Sequence, residues 1–239
     1  MKTALMHHEA SFAVLNTSLT LKNVGFAAIL LAIPALNPVL ADGPSGDFAD
    51  RTLNGWKEKS FAGNTDYELV DEKGTQVLRG YTKGNASILY KKESIDLTKT
   101  PVINWSWKVD KIYQGIDERS RSGDDFPARL YVVVKMGLLP WDTLAINYVW
   151  SSTEPVGESW PNPFTKKAQM ISVQSGDSNV GEWVTQRRHI AEDFQNAFGV
   201  DTKKITGYAV MVDGDNANKE ATAWFGNISF ETVGTSSLD

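Results

Sequence analysis

The 239-residue sequence contains no cysteine, which excludes disulfide bonds, thiolate nucleophiles and zinc–sulfur sites. Histidine is almost as scarce, since His7 and His8 lie near the start and only His189 lies in the body of the chain. A single histidine leaves little scope for a histidine-based metal site or a catalytic triad.

A block of basic residues is also absent. The chain carries 24 Lys and Arg against 29 Asp and Glu, which gives a net charge of −5. Nucleic-acid-binding domains concentrate positive charge on one face, and this composition provides no such concentration in sequence. We therefore expect no nucleic acid among the partners of this protein.

No apolar run is long enough to form a transmembrane helix. The longest, residues 24–36, is followed by small residues at Val39 and Ala41, which is the pattern of a signal-peptidase site. We predict a signal peptide at 1–41, a periplasmic or secreted protein, and no transmembrane span after cleavage. The alternative is a buried N-terminal helix.

The remainder of the chain, 42–239, is predicted to form a single all-β domain. Apolar and polar residues alternate in segments such as INWSWKV, and Gly, Asn, Asp and Ser separate one segment from the next. One short helix is predicted near 191–198, where Phe194 and Phe198 share a face and Gly199 follows. About ten short strands favour a two-sheet antiparallel β-sandwich of jelly-roll type, with a closed barrel as the alternative.

The stretch 119–134, RSRSGDDFPARLYVVV, places three arginines and two aspartates before an apolar run. Strand geometry puts Arg129 and Tyr131 on one face and the apolar residues between them on the other. Arginine binds carboxylates bidentately and tyrosine stacks on sugar rings, so this face suits an acidic sugar. The alternative is structural, with Asp124 and Asp125 neutralising Arg129 and a neighbouring arginine. The candidate ligand-binding residues here are Arg119, Arg121, Asp124, Asp125, Arg129 and Tyr131.

The block AINYVWSSTEPVGESWPNPF ends a strand in a proline-rich loop. Asn147 lies on the strand face opposite Tyr148 and Trp150. Because prolines stiffen the loop, Trp160 is predicted to be an exposed platform for a sugar ring, with Trp160 folded over the sandwich end as the alternative. The candidate ligand-binding residues from this block are Asn147, Trp160 and Asn162.

The segment DGDNANKE supplies the oxygen ligands that calcium prefers. It lies between two predicted strands, so the alternative is an Asx-rich hairpin turn whose side chains bond to its own backbone. The candidate metal ligands are Asp213, Asp215 and Asn216, and calcium is the cofactor that they would hold.

Three blocks in order resemble the bacterial secreted family catalogued as domain of unknown function 3047: RSGDDFPARLYVVV, AINYVWSSTEPVGESWPNPF and MVDGDNANKEATAWFGNISF. The likeness extends from about Trp56 to Phe230. It implies export and fold but carries no catalytic residues to transfer. Shorter patterns such as DFADRTLNGW and WFGNISF are similar to jelly-roll carbohydrate-binding and galactose-binding-like modules, although Asn227 stands where such modules usually have Asp.

Three functions remain open from these observations. The favoured one is an exported module that binds a glycan or another polar ligand. The second is a polysaccharide-active enzyme of the cell envelope, a lyase or hydrolase, using Tyr131 or Tyr148, or the pair Glu154 and Glu158, as acid and base. The third is a structural envelope protein whose arginine cluster only holds its fold.

Overall fold

The computed structural model of the protein describes Phe48, residues 52–137, Leu139 and residues 142–233. The predicted signal peptide at 1–41 lies outside these residues, so export stays a prediction, as does the extent of the single domain at 42–239. In the described part of the chain, no helix is long and apolar enough to cross a membrane.

The larger sheet has seven strands, and it carries the candidate site on its outer face. In spatial order these are β1 (Trp56–Ala62), β4 (Ala86–Lys91), β13 (Gly207–Asp213), β7 (Ala128–Lys135), β8 (Thr143–Ser151), β10 (Thr165–Ser175) and β9 (Ser159–Asn162). All neighbours pair antiparallel except β8 and β10, which run parallel. The central strands are the β-branched, apolar segments, because a central strand is covered on both faces.

The smaller sheet has five strands: β11 (Val184–His189), β6 (Val102–Val109), β14 (Glu220–Glu231), β3 (Thr75–Lys83) and β2 (Asp66–Glu72). A separate short ladder pairs β5 (Ile95–Asp96) with β12 (Lys204–Ile205). The segment DGDNANKE joins β13 to β14 and so crosses from one sheet to the other. The alternative of a hairpin turn is therefore wrong, because the two flanking strands belong to different sheets.

The predicted helix is present as α1 (Ile190–Phe198). His189 caps its N-terminus, where the imidazole Nδ1 accepts a hydrogen bond from the backbone N–H of Glu192 at 3.3 Å. Gly199 ends the helix with a φ of 69°, a left-handed conformation that glycine adopts at little cost. The lone histidine thus has a structural role.

The hydrophobic core fills the space between the two sheets, and its rings come from strands with clear alternation. Trp105 and Trp107 of β6 face Tyr148 and Trp150 of β8, and the ring centroids of Trp105 and Tyr148 lie 5.3 Å apart. Burying each ring contributes about 2 to 3 kcal/mol, so these four rings hold the sheets together. The prediction of an all-β sandwich with one short helix is confirmed.

Candidate functional site

The outer face of the larger sheet holds the polar residues of β7 and β8. Cross-strand pairing sets Tyr131 opposite Asn147 and Arg129 opposite Met211, while Leu130 and its apolar neighbours turn into the core. These outward side chains line a cavity of about 470 Å³. We call this space the arginine cavity, defined by Asp124, Arg129, Tyr131, Asn147, Asn162, Asp213, Asp215 and Asn216 with two flanking phenylalanines.

Arg129 and Asp213 form a buried bidentate ion pair at the bottom of this cavity. The guanidinium Nε donates to Asp213 Oδ1 at 2.7 Å and an Nη donates to Oδ2, with the side chains only 3% and 1% exposed. The same Nη also donates to the backbone carbonyl of Asp124, and the other Nη donates to the Asp124 carboxylate at 3.3 Å. The guanidinium lies 4.5 Å from the ring centroid of Phe126. Four of the five N–H groups of Arg129 are therefore used within the protein.

Asp125 does not neutralise Arg129, contrary to the structural alternative, because it faces the crossover between β13 and β14. Its carboxylate accepts hydrogen bonds from the backbone N–H groups of Asn216 at 3.1 Å and Ala217 at 2.6 Å. Asp124 is the aspartate of this pair that contacts Arg129, and it also accepts from Asn162 Nδ2 at 3.0 Å. The adjacent aspartates thus hold two different loops in place around the cavity.

Asn147 has an unusual position in the arginine cavity. Its side chain is 1% exposed, and its Nδ2 donates only to the sulfur of Met170 at 3.3 Å. Among the described residues, five buried side-chain polar atoms lack a hydrogen-bond partner, and that of Asn147, its Oδ1, is the one in a residue lining this cavity. The lining of the arginine cavity thus includes a residue with an unsatisfied buried acceptor.

Two exposed phenylalanines flank the cavity, and the sequence analysis did not single them out. Phe61 of β1 is 57% exposed and Phe164, which follows β9, is 52% exposed. Lys59 lies 5.1 Å from the ring centroid of Phe61, and Arg121 lies 5.4 Å from that of Phe164. The signal that was available is that each ring lies at or just after a strand end, with Gly63 two residues after Phe61 and Pro163 directly before Phe164.

Trp160 is buried, so the prediction of an exposed platform is wrong. It is 3% exposed and packs with Phe126, Val149 and Met170 in a small apolar cluster on the outer face of the sheet. Arg119 covers it, with the guanidinium 5.3 Å from the ring centroid. Trp160 is folded back onto the protein, as the alternative expected, but it packs on the outer face of the sheet instead of over the sandwich end.

The predicted site residues fall into two groups. Five of the nine candidate ligand-binding residues line the arginine cavity: Asp124, Arg129, Tyr131, Asn147 and Asn162. The three candidate metal ligands, Asp213, Asp215 and Asn216, line it as well. The other four, Arg119, Arg121, Asp125 and Trp160, lie in the walls that support it. The segments 119–131 and 154–162 border one cavity, because Asp124, Arg129 and Asn162 all line it.

Glu154 and Glu158 share one cation instead of forming an acid–base pair. Both accept from the same Nη of Arg119, at 2.5 Å and 3.0 Å, and neither lines the arginine cavity. Tyr148 lies in the core, where its hydroxyl donates to Asp193 at 2.7 Å. Of the acid–base groups considered from the sequence, Tyr131 alone lines the cavity, and its hydroxyl donates to the sulfur of Met211 at 3.3 Å.

The carboxylates that could hold a cation are Asp125, Asp213 and Asp215, whose oxygens lie within 4.8 Å of one another. This donor set suits calcium, although Asp213 already engages Arg129 through both oxygens. Asn216 presents its amide Nδ2 to Asp125 at 3.1 Å, and a nitrogen donor is not a calcium ligand. Calcium binding stays a prediction.

Burial shifts the titration of several of these acids in the same direction. It raises the pKa of the Asp213 carboxyl to about 7, although Arg129 opposes the shift. Burial also raises the pKa of Asp124, Asp215 and Glu118. The Glu118 carboxylate accepts hydrogen bonds from the Ser151 hydroxyl and from the backbone N–H of Ser152. The folded protein therefore binds protons at these sites more tightly than the unfolded chain does.

We expect the free energy of unfolding to rise as the pH falls from 7 to 5. Because the pKa of Asp213 is raised from 3.8 to about 7 in the folded state, its stabilising contribution is present at low pH and is lost as the pH rises through that range. One proton corresponds to a slope of about 1.4 kcal/mol per pH unit. Urea unfolding at several pH values measures this slope.

Two variants separate this effect from the rest of the molecule. Asp213→Asn is expected to flatten the slope, whereas Asp96→Asn should not, because Asp96 is exposed and its pKa is lowered by hydrogen bonds from Thr98. A free energy of unfolding that rises with pH over the same interval would contradict the prediction.

The solved structures that match this chain include, by their descriptions, a glycoside hydrolase domain and two carbohydrate-binding modules, all at low similarity. The glycoside hydrolase domain of Endo-D from Streptococcus pneumoniae R6 is 10% identical, with a TM-score of 0.39 over 74% of this chain and 21% of that chain. A carbohydrate-binding module of the β-sandwich superfamily is 12% identical, with a TM-score of 0.44 over 80% of this chain and 62% of that one. The family 11 carbohydrate-binding module from Clostridium thermocellum is 11% identical, with a TM-score of 0.41 over 77% and 93%.

This chain thus spans less than two thirds of the length of the first two of these structures. No curated protein matches its sequence significantly. A family model described as "Protein of unknown function (DUF3047)" matches residues 54–229, well over half of the chain and nearly all of the two sheets. The protein belongs to the DUF3047 family.

Proposed function

We propose that this protein is an exported β-sandwich module that binds a glycan, or a similar polar ligand, in the arginine cavity. The observation that carries the proposal is Asn147, a residue that lines the cavity and whose buried Oδ1 has no hydrogen-bond partner among the described residues. A buried amide oxygen without a donor costs about 1–3 kcal/mol, and folded proteins seldom leave one without a reason. A ligand hydroxyl group in the cavity would supply the missing donor.

The residues around Asn147 suit a polyhydroxylated ligand. The arginine cavity presents mainly acceptors, from Asp124, Asp213 and Asp215, and sugar hydroxyls are donors that carboxylates bind well. Arg129 holds Asp124 and Asp213 in fixed positions, which reduces the entropy lost when a ligand binds. Arg129 thus contributes mainly by organising the cavity, since one N–H remains for a ligand.

The flanking aromatic rings fit the same class of ligand. Phe61 and Phe164 are more than half exposed at the margin of the cavity, and each is covered on one side by a cation. A sugar ring packs its C–H groups against such an aromatic face while its hydroxyls point toward polar groups. The combination of a polar floor and aromatic margins therefore supports a carbohydrate over an entirely apolar ligand.

Binding is expected to depend on Asn147 and Phe164 together. Calorimetric titration against a panel of neutral and acidic oligosaccharides should identify a ligand whose affinity falls about tenfold in Asn147→Ala and in Phe164→Ala, as the loss of one hydrogen bond or one ring contact predicts. Trp183→Ala serves as the control, because Trp183 is a partly exposed ring next to the smaller sheet.

Thermal melts should show that Phe164→Ala folds normally, since its ring is exposed. A ligand that binds with equal affinity to the wild type and to both cavity variants would place the binding site elsewhere. Absence of binding across the whole panel would contradict the proposed function.

A further inference from the structure

A second cavity lies beside the arginine cavity on the same outer face of the larger sheet. Its volume is about 620 Å³, and it extends across strands β1, β4, β13, β7 and β8. Phe61 lines both cavities, so the two spaces are neighbours along one binding face. We call this space the lysine cavity, because Lys59, Lys91, Lys92 and Lys135 line it.

The charge of the lysine cavity contrasts with the charge of the whole protein. The chain has more acidic than basic residues, yet four lysines and no carboxylate line this space within the described part of the chain. Lys91 forms an ion pair with Glu93 at 3.1 Å. Lys59, Lys92 and Lys135 are exposed, and no described carboxylate lies within 4.0 Å of their ammonium groups.

The floor between these lysines is shallow and apolar. Outward residues of β4, β7 and β13 form it, among them Tyr90, Val133 and Ala209. Gly207 is part of the same floor, and a Cβ at this position would lie 2.7 Å from the backbone oxygen of Lys91. Close backbone packing therefore requires a residue without a side chain at this point of the floor.

Among the described residues that line it, the arginine cavity, in contrast to the lysine cavity, offers no unpaired cation to an acidic group of a ligand. Arg129 is engaged by Asp213 and Asp124, and Asp215 adds a third carboxylate to the lining. An anion there would be repelled by these carboxylates and would find only one free N–H. This corrects the expectation from the sequence that Arg129 itself holds an acidic sugar.

We propose that the lysine cavity is a subsite for an acidic sugar unit, one that carries a carboxylate or a sulfate group. This inference rests on the proposed function, because the neighbouring unit of the same glycan occupies the arginine cavity across Phe61. The ring of the acidic unit packs on the apolar floor, and its anionic group lies among Lys59, Lys92 and Lys135. The preferred ligand is thus an oligosaccharide of at least two units with the acidic unit at the lysine end.

The test compares two acidic oligosaccharides with one neutral oligosaccharide of equal length. The acidic probes are an oligogalacturonate and a sulfated oligosaccharide, which separate carboxylate from sulfate, and the neutral probe is an uncharged oligosaccharide that the wild type binds. The triple variant Lys59→Gln, Lys92→Gln, Lys135→Gln is expected to bind an acidic probe about 30-fold more weakly, roughly threefold for each exposed charge pair. Its affinity for the neutral probe should change less than about twofold, as expected where no charge pair is lost.

A charge-matched control excludes an effect of net charge alone. The variant Lys73→Gln, Lys99→Gln, Lys111→Gln removes the same charge from exposed positions that line neither cavity, and it should keep the wild-type affinity for the acidic probes. Raising the salt concentration should weaken binding of the acidic probe to the wild type but not to the lysine variant.

Several results would overturn this inference while leaving the proposed function intact. One is an equal loss of affinity for the acidic probes in the lysine variant and in the charge-matched control. Another is a lysine variant that loses as much affinity for the neutral probe as for the acidic probes. A third is a wild type that binds the neutral probe more tightly than the acidic ones. Lysine-dependent binding to anionic phospholipid vesicles, without binding to either acidic oligosaccharide, would assign the cavity to a membrane surface instead. If Asn147→Ala has no effect on either class of probe, the proposed function itself fails.

Discussion

Replacing Arg129 with methionine is expected to lower the free energy of unfolding by about 3–5 kcal/mol. The substitution leaves the carboxylates of Asp213 and Asp124 without their positive partner in a part of the fold where both are buried. An uncompensated buried charge costs more than the original ion pair contributes, because water no longer solvates it. Urea unfolding of Arg129→Met near pH 9, well above the pKa of about 7 of the Asp213 carboxyl, measures the loss.

Two comparisons show whether this loss comes from burial. Arg79→Met removes an arginine from the partly exposed pair with Glu68 on the smaller sheet, and we expect it to cost no more than about 1 kcal/mol. The double variant Arg129→Met, Asp213→Asn should lose less than the sum of the two single variants, because it removes one of the stranded charges. A loss below 1 kcal/mol in Arg129→Met would show that the pair is solvated.

Gly123→Ala is expected to cost about 3 kcal/mol, the upper end of the usual range for overpacking. A Cβ on Gly123 would lie 2.3 Å from the backbone oxygen of Asp117 and 2.9 Å from its nitrogen. Both contacts are with backbone atoms, which cannot move aside as a flexible side chain does. The loop must shift, and with it Asp124 and Asp125, which directly follow the glycine.

The effect on the site distinguishes this prediction from a general loss of stability. Displacement of Asp124 weakens its bonds to Arg129 and Asn162, so ligand affinity in the arginine cavity should fall together with the melting temperature. Ser122→Ala, one residue away and exposed, should change the free energy of unfolding by less than about 0.5 kcal/mol. A Gly123→Ala variant as stable as the wild type would mean that the loop has another accessible conformation.

The faces of the strands were predictable because they depend on local alternation. Arg129 and Tyr131 share the outer face of β7, while Leu130 and Val132 belong to the core, as the period of two requires. The short helix was also predictable, since its phenylalanine spacing and terminal glycine are local signals. Local patterns therefore located most of the cavity residues before the sheets were known.

The partners of these residues were not predictable, because they come from distant parts of the chain. Asp213 was interpreted as a calcium ligand, yet the pairing of β13 with β7 brings it to Arg129 across 84 residues. Trp160 was expected to be exposed, yet it packs against Phe126 and Arg119 covers it. Neither contact could be inferred from the spacing of neighbouring residues in the sequence.

Residues 214–219 connect β13 of the larger sheet to β14 of the smaller sheet. Two residues of this crossover, Asp215 and Asn216, also line the arginine cavity. Asp125 fastens this crossover to the loop that enters β7. A ligand that contacts both Asp124 and the crossover would therefore hold the loop before β7 and the end of β13 together, so that these segments separate only after it is released. Occupancy of the cavity would then slow unfolding itself, and the bound protein would resist heat, proteases and mechanical pulling for longer than its equilibrium affinity alone indicates.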